Sequence, residues 1–84
     1  MVTNHVYRTS DTPLATYLVI SGFPLQSVDY SGIRYNFEFA RSPDVEAHAS
    51  LYITGKALCD PMAFDRVNRK LLRIIRKQIQ WCDD

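Results

Sequence analysis

Six basic side chains recur at helical spacing near the C-terminal end of the 84-residue chain. Only Asp65 offsets their charge before the end of the sequence is reached. At about 100° per residue, these positions fall on one side of a helix and form a continuous positive stripe, which can meet phosphates or carboxylates. The six residues, hereafter the basic face, are Arg66, Arg69, Lys70, Arg73, Arg76 and Lys77.

The basic face also has a plain structural explanation. Any helix that lies on a core has a charged outer side, and Lys and Arg are good helix formers that suit the negative end of the helix dipole. A solvated face, however, usually interleaves Glu with Lys four residues apart, and this segment does not. The sequence therefore leaves two interpretations open, a solvated face and a binding face.

Side chains for nucleophilic catalysis are poorly placed. Such catalysis needs a Ser or Cys with a base and an orienting acid around a pocket. His5 lies close to the N-terminus, and the phase of His48 with Val45 and Tyr52 favours a packed imidazole on a helix. Cys59 adjoins an apolar helix start, where a thiol packs as a small hydrophobe.

Carboxylates and metal ligands give no stronger signal. Asp29 and Glu38 are expected to keep an outer sheet face soluble, and Asp44, followed by Glu46, suits a helix N-terminus. The two histidines and two cysteines lack metal-ligand spacing, and the three glycines are isolated. We therefore expect no enzymatic activity, no catalytic residue, no cofactor and no metal site.

The helix that carries the basic face is predicted over residues 60–81. Asp60 can accept a hydrogen bond from the first turn, and Pro61 suits the first helical position. A core-facing stripe follows at spacings of three and four residues, and Leu72 and Ile79 widen it. The stripe consists of Phe64, Val67, Leu71, Ile74, Ile75, Gln78 and Trp81.

The preceding segments predict a strand at 5–8, a nearly all-apolar buried helix at 14–21, and a hairpin with arms 25–30 and 33–40 around a two-residue Ser31-Gly32 loop. In the second arm, Ile33, Tyr35, Phe37 and Phe39 alternate with polar residues, so we expect them to form an aromatic face that the helices cover. A second helix begins at Ser42-Pro43 and ends at Gly55, with Val45, His48, Ala49, Tyr52 and Ile53 facing inward. We expect one α+β domain over residues 1–84, in the order β-α-β-β-α-α. The hairpin packs against three helices, and the N-terminal strand is a candidate third strand.

Composition sets further bounds on the kind of protein. The net charge is only +1, yet residues 56–84 carry seven basic and four acidic side chains, so the charge is unevenly placed. Cys59 and Cys82 are too few for a disulfide scaffold, which favours a reducing, cytoplasmic setting. The sequence has neither a secretory signal pattern nor a long apolar run, so we expect no membrane span.

Packing and turn motifs recur along most of the chain. They are Tyr7 with residues 9–11, Gly22-Phe23, residues 33–39, Tyr52 with Gly55, and Ala63-Phe64. Together these motifs resemble a small uncharacterised prokaryotic domain family, a domain of unknown function. The resemblance implies the α+β fold and, loosely, a phage, plasmid or other mobile-element setting, and it carries no chemistry because its motifs concern packing and turns. The chain departs from that family in its density of Arg and Lys after Phe64.

The sequence is compatible with two classes of function. In the first, the domain is a non-catalytic adaptor or inhibitor, of phage or mobile-element origin, that binds a protein through the basic face or a sheet edge. In the second, the basic face contacts the phosphates of DNA or RNA. The low total charge favours the protein partner narrowly, and a homodimer that buries an edge or Trp81 is an alternative assembly.

Overall fold

The computed structural model describes residues 5–81 and has the predicted α+β order, β-α-β-β-α-α. None of its three helices, within that range, has the length and apolar character needed to cross a membrane. The predictions for Cys82, Asp83 and Asp84 lie outside the described residues. The elements are β1 Val6–Thr9, α1 Thr12–Ile20, β2 Leu25–Asp29, β3 Asn36–Ala40, α2 Pro43–Ile53 and α3 Pro61–Lys77.

The three strands form one antiparallel sheet in the order β1-β3-β2. The N-terminal strand therefore joins the hairpin, which the sequence had left open. On the outer face, Glu38 of the central strand accepts a hydrogen bond from Ser27 at 2.6 Å and pairs with Arg8 at 2.9 Å. This polar row is consistent with a sheet that meets solvent on one side and the helices on the other.

The core lies between the inner face of the sheet and the helices. Phe37 and Phe39 of β3 are fully buried, and they belong to one cluster with Leu18 of α1 and Leu71 of α3. α1 contacts both other helices and is buried nearly all round, as its apolar sequence predicts. Its one polar residue at the centre, Thr16, places its hydroxyl 2.9 Å from the Thr12 carbonyl oxygen and 3.0 Å from Asn68 Oδ1.

The predicted two-residue loop at Ser31-Gly32 is wrong. β2 ends at Asp29 and β3 begins at Asn36, so residues 30–35 connect them. The Asp29 carboxylate ends the strand early, because it accepts hydrogen bonds from the Ser31 amide at 2.9 Å and the Ser31 hydroxyl at 2.6 Å. Ile33, which we predicted on the buried aromatic face, is consequently fully exposed in the loop.

The second helix begins where the sequence predicted it, since the Ser42 hydroxyl accepts a hydrogen bond from the Val45 amide at 3.1 Å. Val45 and Ala49 are buried against the core, and Tyr52 is partly buried. The inward placement of Ile53 is wrong, because its side chain is exposed in the last turn. Successive side chains of a helix point in different directions, so Ile53 faces away from α1 while Tyr52 packs against the core.

All three helices end in the same hydrogen-bonded motif. A residue one or two positions after the helix adopts a positive φ, which lets two successive amides reach back to the carbonyls of the last turn. Gly22 takes this position after α1 and Gly55 takes it after α2, with φ of 103° and 76°. Gln78 takes it after α3 with φ of 54°, and Ile79 N donates to Ile74 O at 3.1 Å.

This motif corrects the predicted extent of the last helix. α3 ends at Lys77 rather than at Trp81, so Gln78 and Trp81 do not belong to its core-facing stripe. Leu72 and Ile79, which we expected to widen that stripe, are exposed. The apolar periodicity of the sequence continues past Lys77, where α3 ends. The position with positive φ holds Gln78 instead of the glycine found after α1 and α2, so the sequence carries no clear signal for the end of this helix.

Candidate interaction surface on the last helix

The orientation of α3 is set at both its start and its inner face. The Asp60 carboxylate accepts a hydrogen bond from the Ala63 amide at 3.1 Å, and Pro61 occupies the first turn. Leu71 and Ile74 are buried in the core, with Val67 and Ile75 partly buried beside them. Because these residues hold one side of the helix against α1 and the sheet, the opposite side is presented to solvent.

The basic face lies on that opposite side. Lys70 is partly buried and the other five members are exposed. The helix is unbroken from Pro61 to Lys77, so it brings all six predicted side chains onto one surface. Arg66 and Arg73 lie two turns apart, about 10 Å along the axis, and Lys77 follows about 6 Å further on.

Two of the six cations have partners within residues 5–81. Arg69 Nε lies 3.0 Å from the Asp65 carboxylate, an exposed pair one helical turn apart that contributes only about 0.3–0.5 kcal/mol. Lys70 Nζ lies 4.0 Å from the centroid of the Trp81 ring, which is a cation–π contact. In contrast, Arg66, Arg73, Arg76 and Lys77 form no ion pair within residues 5–81.

The tail after α3 explains the position of Trp81. The Gln80 side-chain amide accepts from Val28 N at 2.6 Å and donates to Val28 O at 2.8 Å, in the manner of a neighbouring strand. The Tyr30 hydroxyl lies 3.0 Å from Ile74 O and 2.6 Å from Ile79 O, and burial raises the pKa of this phenol. The tail is thereby fixed along the outer edge of β2, with Trp81 beside Lys70.

Sequence reasoning missed the apolar residues near the start of α3. Leu58 and Met62 are 90% and 76% exposed. Leu58 borders a groove of about 310 Å³ where α1, α2 and the 57–60 connector meet α3. The periodicity of α3 could have shown that Met62 shares the basic face, but the groove depends on contacts between distant segments. Its lining residues are Tyr17, Ile20, Ser21, His48, Leu58, Cys59, Asp60 and Ala63.

The side chains considered for catalysis make structural contacts. His48 Nδ1 lies 2.9 Å from the Asp44 carbonyl oxygen, and the ring packs edge-on against Phe23, with their centroids 5.0 Å apart. His5 is exposed. Cys59 is also exposed, so the prediction that it packs as a buried hydrophobe is wrong: the connector holds it at the surface.

The candidate carboxylates are likewise engaged locally. Hydrogen bonds from Ser31 lower the pKa of Asp29, Glu38 belongs to the polar row of the sheet, and Glu46 lies 3.8 Å from Arg41. Among residues 5–81, no three His, Cys, Asp or Glu side chains gather closely enough to hold a metal ion. The arrangement of the described residues thus offers electrostatic and apolar contacts rather than an assembled set of reacting groups.

Comparison of the chain with protein-family models, with curated proteins and with solved structures finds no match. The family resemblance noted from the sequence therefore stays a prediction.

Proposed function

We propose that the protein is a non-catalytic interaction module that binds another protein, as an adaptor or inhibitor, through the basic face of α3. One observation carries the proposal: four exposed cations on a firmly packed helix have no counter-ion among residues 5–81. Unopposed cations three and four residues apart repel each other and weaken a helix slightly. A partner that supplies carboxylates relieves this repulsion, so the arrangement is better suited to a complex than to free solution.

The local surroundings of the basic face favour a protein over a nucleic acid. The chain has a net charge of only +1, and the basic face lies on a single helix of 17 residues. The exposed apolar side chains of Met62 and Leu72 lie on α3 with the basic face, and Asp65 already pairs with Arg69. A mixture of apolar and charged positions is typical of a protein interface, whereas binding to a nucleic-acid backbone favours a broader positive surface.

Binding to DNA or RNA phosphates is the second candidate function, and the same four unpaired cations support it. Neutralising four phosphates makes the affinity fall about 100-fold between roughly 50 and 200 mM salt. No sequence preference is expected from such contacts, because phosphates position a protein without identifying bases.

The test uses the double variant Arg66→Glu/Arg73→Glu, which reverses two unpaired cations. Its matched control is Arg34→Glu/Arg41→Glu, which changes the net charge equally at exposed positions outside α3. Proteins captured from an extract of the source cells are identified by mass spectrometry. Binding to duplex DNA, single-stranded DNA and RNA is measured in parallel at low and moderate salt.

We expect a protein partner to be lost with Arg66→Glu/Arg73→Glu and retained with the control. Nucleic-acid binding that is salt-dependent and lost with the same variant would establish the second candidate instead. If every partner survives reversal of the basic face, that face is only a solvated surface and the proposal fails.

The proposal also concerns the cellular compartment and the oligomeric state. A reducing cytoplasm suits the exposed, free Cys59, and the phage or mobile-element origin rests on the sequence resemblance alone. A homodimer that buries Trp81 is disfavoured, because the Trp81 ring already lies against Lys70 and the tail already occupies the β2 edge. The particle mass in solution tests this directly.

A further inference from the structure

We infer that the partner of the basic face is an acidic amphipathic segment of another protein, which also contacts Met62 and places a large apolar side chain in the groove that Leu58 lines. This inference rests on the proposed function and adds the chemistry of the partner to it. Three features carry the inference: two exposed apolar side chains, their alignment with the cations, and the lining of the groove.

Leu58 and Met62 are the first of these features. Both are large apolar side chains, 90% and 76% exposed, and they are four residues apart at the entrance to α3. Isolated apolar residues on a surface need no explanation, but two exposed ones this close in sequence, one of which lines a groove, are typical of interaction sites. The flexible Met62 side chain can adapt to the shape of an apolar partner group.

The alignment of Met62 with the cations is the second feature. Met62, Arg66, Arg69 and Arg73 follow each other at spacings of four, three and four residues, so they share one side of α3. At 1.5 Å per residue, this series spans about 16 Å, with the apolar position at one end. A complementary segment therefore carries its apolar side chain near one end and its carboxylates over the next three helical turns.

The groove lining is the third feature, and it favours a peptide over a nucleic acid. Ile20, Leu58 and Ala63 give the groove apolar walls, and Ser21 and His48 add polar groups. The one carboxylate there, Asp60, accepts the Ala63 amide hydrogen at the positive end of the helix dipole, which offsets its charge. Tyr17 is buried and the His48 ring packs edge-on against Phe23, so the lining presents no exposed Phe, Tyr or Trp ring on which a base could stack.

The test selects random peptides displayed on phage against the whole protein and sequences those that are enriched. We expect the enriched peptides to combine Asp or Glu residues with one large apolar or aromatic residue at a recurring distance from them. The most enriched peptide is then synthesised, and its affinity is measured by fluorescence anisotropy. We expect Leu58→Ser/Met62→Ser to weaken it by about tenfold or more, as the loss of a buried anchor does.

Matched controls separate this inference from the proposed function. Ile33→Ser removes a fully exposed apolar side chain outside the groove and should leave the affinity unchanged. If the peptides are acidic without a recurring apolar residue, or if Leu58→Ser/Met62→Ser binds normally, the groove inference fails while the basic face keeps its role. If no peptide is enriched, or if binding survives Arg66→Glu/Arg73→Glu, both fail. A dimer that covers Leu58 and Met62 in solution would also overturn the inference.

Discussion

Gln78 ends α3 in a backbone conformation that glycine adopts at the ends of the other two helices. Within residues 5–81, it is the one residue other than glycine with a positive φ. A side chain at such a position is strained by its own backbone, since Cβ approaches the carbonyl oxygen. The strain persists because the hydrogen bonds that follow it fix the tail against β2.

Replacing Gln78 with glycine should therefore stabilise the protein. We expect Gln78→Gly to raise the free energy of unfolding by about 0.5–1 kcal/mol, because glycine adopts the left-handed region without strain. Urea unfolding followed by circular dichroism measures the change. The reciprocal variant Gly55→Ala should lower the free energy by about 1 kcal/mol, although no atom lies close enough to obstruct a Cβ there. An unstable Gln78→Gly variant would show that the Gln78 side chain has an unrecognised role.

Local signals in the sequence predicted the helix starts and the inward-facing residues of the central strand correctly, although that strand begins at Asn36 rather than at residue 33. Asp60 and Ser42 cap their helices as expected, and Phe37 and Phe39 face the core, since each feature depends on residues close in sequence. The end of α3 was not predictable in this way, because Gln78 is a poor marker of a helix end. The Gln80 contact with Val28 joins residues 52 positions apart, so no local pattern contains it.

The tail of residues 78–81 covers part of one of the two edges of the sheet, the edge formed by β2. β2 is an edge strand, and unpaired backbone groups on such an edge invite pairing with other chains. The Gln80 side chain occupies both backbone groups of Val28, which places a side-chain amide where a fourth strand would otherwise bind. Docking of another chain on the edge of β2 is for this reason disfavoured.

Removing this side chain should open the edge locally. We expect Gln80→Ala to lower the free energy of unfolding by about 1–2 kcal/mol, since two hydrogen bonds are lost at a partly buried site. Hydrogen exchange of the Val28 amide should accelerate as well. Gln26→Ala is the control, because Gln26 is an exposed residue of the same strand. Unchanged protection of Val28 in Gln80→Ala would mean that the tail does not cover this edge in solution.

The molecule as a whole separates the residues that hold the fold from those that meet solvent. Its core uses one face of the sheet and the inner sides of the helices, and the basic face and groove entrance lie outside that core. Substitutions at Leu58 and Met62 should accordingly leave stability almost unchanged, whereas Leu71, which is fully buried, cannot lose its side chain without loss of several kcal/mol. Binding and folding can therefore be tested independently.

Arg73 provides the sharpest test of whether the basic face exists for binding. It lies four residues after Arg69 and four before Lys77, so these like charges repel one another along the helix. Arg73→Glu places a carboxylate between two cations and should raise the free energy of unfolding by about 0.3–0.6 kcal/mol at low salt, a gain that disappears at high salt. The same substitution should weaken partner binding.

Opposite changes in stability and affinity would indicate that the uncompensated cations are retained for a partner rather than for the helix. Arg34→Glu, a charge reversal at an exposed position outside α3, is the control for nonspecific effects of net charge. Urea unfolding at low and high salt, together with binding to the selected peptides, measures both quantities on the same variants. If Arg73→Glu lowers the free energy of unfolding, the cations stabilise the helix itself, and the basic face is better explained as a solvated surface.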